Sequence, residues 1–165
     1  MEYVYIGKIV NTHGIKGELR ILSDFEKKDI VFRKGFSLYV GDGRRKEVIE
    51  SYRHHKCFDM VTFEGYDNIN EVLKYKGMEV YVDREDLGMN EDDFLFEDLV
   101  GLEIKENGEI LGKVKELVYN GSGILLLVEG SKRFYIPKND EFIKQVNVQE
   151  GYIECKNTKG LILWK

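Results

Sequence analysis

The stretch Val4-Tyr5-Ile6-Gly7-Lys8-Ile9-Val10-Asn11-Thr12-His13-Gly14-Ile15-Lys16-Gly17-Glu18-Leu19-Arg20-Ile21 sets two extended apolar runs on either side of a glycine-bracketed turn. Val4 through Ile6 opens a strand that continues through Ile9-Val10. Leu19 and Ile21 alternate with Glu18 and Arg20, the period-two pattern of a strand with one buried face. Gly14 and Gly17, three apart, permit a tight connection because glycine tolerates positive φ. The β theme continues outward from there. Phe36, Leu38 and Val40 alternate with Ser37 and Tyr39, and Gly41-Asp42-Gly43 supplies a hairpin turn. Val48 through Tyr52 and Phe58 through Phe63 are further extended runs, and Met78, Val80 and Val82, alternating with Glu79 and Tyr81, make a sixth. One segment departs from this pattern. Asn68 with Glu71 three residues on has capping-box spacing, Ile69, Val72 and Leu73 follow a helical period, and Gly77 can end the turn. A short helix is predicted over residues 69–76, pinned to the sheet by those three apolar side chains.

The second half repeats the β theme. Gly101 through Ile104 is a strand, Asn107-Gly108 a hairpin turn, and Ile110 through Val118 the return strand. Gly121-Ser122-Gly123 predicts another turn before the apolar run Ile124–Val128, which suits a central strand buried on both faces. Phe134-Tyr135-Ile136 is stopped by Pro137, the only proline. Val146-Asn147-Val148 and Tyr152 through Cys155 form a closing hairpin around Glu150-Gly151. Between the halves, residues 83–98 carry eight Asp and Glu with Gly88 and Asn90 and no sustained period, which reads as a linker. The expected fold is mainly β: two small β-barrel domains, residues 1–83 and 98–165, joined by an acidic linker over 84–97. Closure into barrels removes open sheet edges.

At 165 residues the chain has room for one medium domain or two small ones, and its 42% hydrophobic, 33% charged composition is that of a folded protein. No apolar run approaches the ~20 residues that span a bilayer, and Met1-Glu2-Tyr3 does not open a secretory signal. Cys57 and Cys155 form no CxxC, so neither a disulfide framework nor a zinc ribbon is supported; a reducing cytoplasm is expected. The net charge of −5 argues against a protein that coats nucleic acid over its whole surface. The charge is unevenly spread. Residues 8–56 hold twelve Lys/Arg against seven Asp/Glu, residues 57–109 hold four against sixteen, and residues 110–165 hold nine against six. A polar partner surface and plain solvated faces both fit that asymmetry.

The residues bearing reactive groups do not assemble into a catalytic pattern. Gly121-Ser122-Gly123 lacks GxSxG spacing, and there is no Walker loop or strand-to-helix GxGxxG. His54 and His55 point to opposite faces of a strand and cannot chelate together. Cys57 and Cys155 lie in apolar strand patterns and read as small core residues. Asp92-Asp93 and Asp140-Glu141 lie in solvated runs without the apolar surroundings that raise a carboxyl pKa. No cofactor or metal is implied. His13-Gly14-Ile15-Lys16-Gly17 is the most distinctive string, and two readings of it stand. Either the glycines serve the turn while His13 caps a backbone group, or His13, Lys16 and Arg20 contact phosphate or a polar partner from one rim of the barrel.

Gly7 through Ile21 resembles the opening of the RimM family of bacterial ribosome maturation factors. Asp98 through Ile104, Gly108, Leu111-Gly112-Lys113-Val114, Ile136-Pro137 and the stretch 146–153 resemble the PRC-barrel domain that follows in that family. The resemblance implies a six-stranded first barrel related to those of translation factors and a PRC barrel after it. It implies a binding protein, not an enzyme: a cytoplasmic, monomeric assembly factor that associates with the immature small ribosomal subunit, touches a ribosomal protein of the subunit head, and assists maturation of small-subunit ribosomal RNA. Phe94, Leu95, Phe96 and Asp98 align with an aromatic-rich family motif implicated in subunit association, with Leu95 where an aromatic is usual. Phe94 and Phe96 serve equally as anchors for a partner or as closure of the second core. Asn147 stands where the family has Asp. Lys8, His13, Lys16, Arg20, Arg44, Arg45 and Lys46 are the candidates for RNA phosphates on the basic first domain. A PRC-barrel adaptor or scaffold with another protein partner, or a small enzyme with a barrel-end pocket, are the alternatives.

Overall fold

A computed structural model describes residues 1–121 and 123–162. The chain divides into two compact units, Met1–Gly88 and Met89–Lys165, and both are mainly β. In the first, β1 (Tyr3–His13), β2 (Glu18–Leu22), β3 (Ser37–Val40), β4 (Arg45–His55), β5 (Phe58–Phe63) and β6 (Glu79–Asp83) close into a barrel in the order β1-β2-β5-β4-β3-β6. All its pairings are antiparallel. Alternation along the strands decides the inside. Val4, Ile6, Ile9, Leu19, Ile21, Leu38, Ile49, Val61, Phe63, Val80 and Val82 are all at most 2% exposed. Register shifts between Tyr5 and Gly7 and between Ile9 and Asn11 bend β1, so its first half pairs with β6 and its second half with β2.

Ser23, Glu47, Asp59 and Asp83 are the polar residues buried in this barrel unit, and the carboxylates of Asp59 and Glu47 are met by partners from other segments. Asp59, wholly buried, accepts from the Tyr52 hydroxyl at 2.7 Å and lies 2.8 Å from Lys28 Nζ, carried by the short helix α1 (Lys28–Val31). Glu47 accepts from the hydroxyls of Tyr66, at 2.7 Å, and Tyr75. Neither α1 nor these carboxylates are visible in the hydrophobic pattern.

The predicted short helix exists as α2 (Ile69–Val72) continued by a 3-10 turn over Leu73–Tyr75. Asn68 caps it through its side chain, which accepts from Glu71 N, while Glu71 Oε1 accepts from Asn68 Nδ2 and Asp67 N. The pinning side chains differ from those expected. Leu73 is 48% exposed, and Tyr75 takes its place in the core beside Val72, because the tightening to 3-10 geometry rotates the face that meets the barrel. Three further expectations change. Tyr39 is buried rather than outward, covered by Tyr3. Met78 lies just before β6 and is partly exposed. Cys57 is exposed, because it sits in the β4–β5 turn and not in a strand.

The second unit contains β7 (Glu103–Glu106), β8 (Glu109–Asn120), β9 (Gly123–Glu129), β10 (Arg133–Pro137), β11 (Ile143–Asn147), β12 (Tyr152–Cys155) and α3 (Lys159–Ile162). Its sheet runs β10-β9-β8-β7-β12-β11, with one parallel pair, β12 with β7. Among the described residues no ladder joins β10 to β11; the six strands pack around one core, with α3 against β10. Leu99, Ile104, Val114, Leu126, Val128, Phe134, Ile136, Ile153 and Cys155 form that core. Asn107 and Gly108 both have positive φ, as a two-residue β7–β8 hairpin requires. The turn expected at 121–123 includes Ser122, which lies outside the described residues. β9 is paired on both sides, by β10 and β8, yet only Leu126, Leu127 and Val128 are buried; Ile124 and Leu125 are half-buried toward the strand's start. The acidic stretch holds two 3-10 turns, Arg84–Leu87 in the first unit and Phe96–Leu99 in the second, with Leu87 and Leu95 buried.

Candidate functional site

The β1–β2 connection is held in place by its backbone. Gly14 and Gly17 have φ of +74° and +92°, a region that penalises any other residue, and a Cβ on Gly17 would stand 3.1 Å from the Asn68 carbonyl oxygen. Ile69 N donates to Ile15 O at 2.9 Å, tying the loop to the start of α2. The loop therefore presents the Ile15 and Lys16 side chains outward, with Ile15 79% exposed.

Around this loop the strand register gathers basic side chains. His13 lies opposite Glu18, and Arg20 lies opposite Met60, which in turn lies opposite Arg53. Arg20 Nη2 donates to His13 Nδ1 at 2.7 Å. A guanidinium can only donate, so His13 Nδ1 is the acceptor of this hydrogen bond. His13 therefore contacts a side chain and does not cap the backbone at Nδ1. The His55 ring is 6.2 Å from that of His13. Loss of water, then the charges of Arg53, Lys56, His13 and Arg20, hold His55 below its ordinary range. Arg53 grips Glu18 with two hydrogen bonds of 2.8 Å, and that contact keeps the Glu18 carboxyl below its usual pKa. A shallow cleft of about 400 Å³, lined by His13, Ile15, Lys16, Glu18 and Thr62, opens here. Arg53, His55 and Lys56 join this group although sequence reasoning did not select them. The signal was present in the string Arg53-His54-His55-Lys56 at the β4–β5 turn, which pairing brings beside the β1–β2 loop.

The remaining basic candidates lie elsewhere. Arg44 folds back over its hairpin. Its Cζ is 3.7 Å from the Tyr81 ring centroid and 5.3 Å from that of Tyr3, and Nη1 donates to Gly41 O at 2.8 Å. Arg44, not Gly43, carries the positive φ of this turn together with Gly41. Arg45 Nε lies 3.4 Å from Glu47 Oε2, and Lys46 is exposed. Tyr81, under Arg44, pairs with Tyr5, eight residues before His13 and up to ~26 Å away along an extended strand. Lys8 lies between, opposite Glu79. The seven basic candidates thus do not share one rim: His13, Lys16 and Arg20 converge, while Arg44, Arg45 and Lys46 form a separate hairpin group.

In the second unit, Leu95 is 1% exposed and so is closed to a partner. Its backbone N–H donates to Asp98 Oδ2 at 2.8 Å, and Asp98 N–H donates to Leu95 O at 2.9 Å. Asp98 is therefore a cap for the Phe96–Leu99 turn. Phe94 is half-buried against the core, and Phe96 is half-buried beneath Lys138, whose Nζ is 4.7 Å from the ring centroid. A cleft of about 300 Å³ lies against Phe94, bordered by Lys138, Ile143, Lys144 and Val146. Asn147 Oδ1 accepts from Glu150 N at 2.9 Å, an acceptor role in the β11–β12 turn that Asp would fill as well. Among the described residues no three His, Cys, Asp or Glu side chains are placed to hold a metal ion, and no helix is long and apolar enough to cross a membrane.

The comparisons with known proteins cover both units. Residues 4–87 match the RimM N-terminal domain model and residues 96–161 match the RimM PRC barrel domain model. A ribosome maturation factor RimM of Exiguobacterium is 34% identical, with 98% of each chain covered. That of Bacillus subtilis is 38% identical, with 95% of each covered. The solved structure of a 16S ribosomal RNA processing protein RimM from Pseudomonas aeruginosa aligns over 94% of this chain and 97% of its own, at 20% identity and a TM-score of 0.46. Two domain models matched in order, and relatives alike from end to end, mean that the chain belongs to the RimM family.

Proposed function

We propose that this protein is a non-catalytic ribosome assembly factor of the cytoplasm. As a monomer it binds the immature small ribosomal subunit and assists maturation of its RNA. The first domain, residues 1–83 in this reading, meets RNA phosphates through Lys16, Arg20 and Lys56 around the β1–β2 loop. The second domain, residues 98–165, together with Phe94 and Phe96 of the acidic linker 84–97, holds a ribosomal protein of the subunit head. What carries the reading is the convergence of His13, Lys16, Arg20, Arg53, His55 and Lys56 at one end of the barrel, in a chain whose relatives are named ribosome maturation factors. Phosphate contacts made there supply affinity and orientation without choosing a sequence.

The roles of the second group divide by burial. Leu95 and Asp98 shape the turn, and Phe94 and Phe96 supply the apolar faces. Lys138 lies over Phe96, and Lys138, Asp140 and Lys144 border the cleft at Phe94, so the rim of the anchor carries both signs of charge. The experiment is co-sedimentation of the purified protein with immature and mature small subunits. Preferential association with the immature particles is expected. No association with either, or turnover of a small metabolite by the pure protein, refutes the reading.

A further inference from the structure

The first barrel carries a second surface, remote from the basic end, built by strand register. Tyr3 and Tyr5 on β1 alternate with Val4 and Ile6, which are buried, so both rings face outward, 39% and 48% exposed. Tyr81 of β6 pairs with Tyr5 on one side and with Tyr39 of β3 on the other. Tyr5 meets Tyr81 edge-to-face at 5.8 Å, and Tyr3 meets Tyr39 edge-to-face at 5.3 Å. Such contacts hold the rings in fixed orientations, which lowers the entropy cost of using them as a platform.

The charges at this face select its partner. Glu79 accepts from the Tyr81 hydroxyl at 3.3 Å. Glu79 and Asp24 act on Tyr5, and Asp86 and Asp83 act on Tyr39; with burial as the largest cause, these charges raise both phenols above their ordinary range. The cations facing the same surface are Lys8, opposite Glu79, Lys46, opposite Tyr39, and Arg44, against the carboxylates of Glu79, Asp24, Asp83 and Asp86. Ring faces and carboxylates both attract cations, whereas the phosphates of a nucleic acid would meet those carboxylates. Arg44 already lies over Tyr81, so a guanidinium fits against these rings; it occupies that ring and leaves Tyr5 and Glu79 for an incoming one. The geometry points to the outer face of β1, β3 and β6, centred on Tyr3, Tyr5, Tyr81 and Glu79, as a docking surface for an extended arginine-rich protein segment. Arginine is favoured over lysine because its planar group stacks on a ring while hydrogen-bonding a carboxylate.

The test uses the full chain and a fluorescein-labelled peptide of Arg-Gly-Gly repeats, with a Lys-Gly-Gly peptide and oligouridine as comparison probes. Anisotropy titration is expected to show the arginine peptide binding most tightly. Backbone amide shifts should move on β1, β3 and β6. Tyr5→Ser, at a half-exposed position, should weaken peptide binding about 2–5-fold, and Glu79→Gln should weaken it in the same direction. A Tyr5→Ser/Glu79→Gln variant that stays folded by its amide spectrum and binds the peptide undiminished overturns the proposal. So does loss of binding on Asp92→Asn/Asp93→Asn instead, which would place the peptide on the acidic stretch. Oligouridine shifting the β1, β3 and β6 amides while the arginine peptide does not would also overturn it, in favour of base stacking.

Discussion

Replacing Lys16 and Lys56 together by alanine tests the phosphate-binding end of the barrel most directly. Lys16, Arg20 and Lys56 make no ion pair among the described residues, whereas Arg53 is committed to Glu18. Three cations facing phosphates release counterions with a logarithmic salt slope of about −0.9 per contact, hence about −2.7 in total. Raising salt from about 50 to 200 mM then weakens binding to the small subunit about 40-fold. The double variant keeps Arg20 alone, with a slope of about −0.9 and a loss of about 3.5-fold over the same range. Lys16 and Lys56 are exposed loop residues, so the fold should not change. The assay is co-sedimentation with purified immature subunits across a salt series. A variant slope equal to that of the parent protein, or a parent slope near zero, refutes the assignment.

Other consequences follow from the same geometry. Arg44→Ala removes the guanidinium from the Tyr81 ring and from Gly41 O; it should cost about 1–3 kcal/mol in urea unfolding while the subunit-binding salt slope stays unchanged. Lys28→Met leaves the wholly buried Asp59 carboxylate with only the Tyr52 hydroxyl, and a loss of about 3–5 kcal/mol is expected by the same measurement. Phe96→Ala, whose ring contacts Lys138, should weaken subunit association about 10-fold with the protein still folded, whereas Phe94→Ala should first lower the stability of the second unit; calorimetry with a binding assay separates the two. Burial pushes the Cys155 thiol up to about 12 from 9.0, so a chromogenic disulfide reagent near pH 8 should titrate one fast thiol, Cys57, with Cys155 reacting only in denaturant. Because the folded state holds that proton more tightly than the unfolded chain, this contribution to stability is complete below pH 9 and is lost as pH rises toward 12.

The local signals in this chain were strong where backbone conformation is strongly restricted. Gly14 and Gly17 marked the β1–β2 connection, Asn107-Gly108 marked its hairpin, and Asn68 with Glu71 marked the short helix, each through a preference that acts within a few residues. Strand alternation likewise identified most of both cores. It failed at Tyr39, where a cross-strand ring decides burial, and helical spacing failed at Leu73, where a change of helix type does; neither is encoded in spacing.

By itself, then, the sequence determined two β units with their turns, the family they belong to, and the loop where basic residues gather. Only the tertiary structure decided which cations act together. Pairing of β4 with β5 and of β5 with β2 brings Arg53 to Glu18 across 35 positions and His55 beside His13, while Arg44 closes on Tyr81 instead of joining them. It also decided that the carboxylates of Asp59 and Glu47 are interior, because a buried charge is tolerated only where partners from distant segments meet it. Periodicity reports the face a residue shares with its neighbours in the chain. Which distant residues lie opposite is set by register and closure, and these exist only once the barrel has formed.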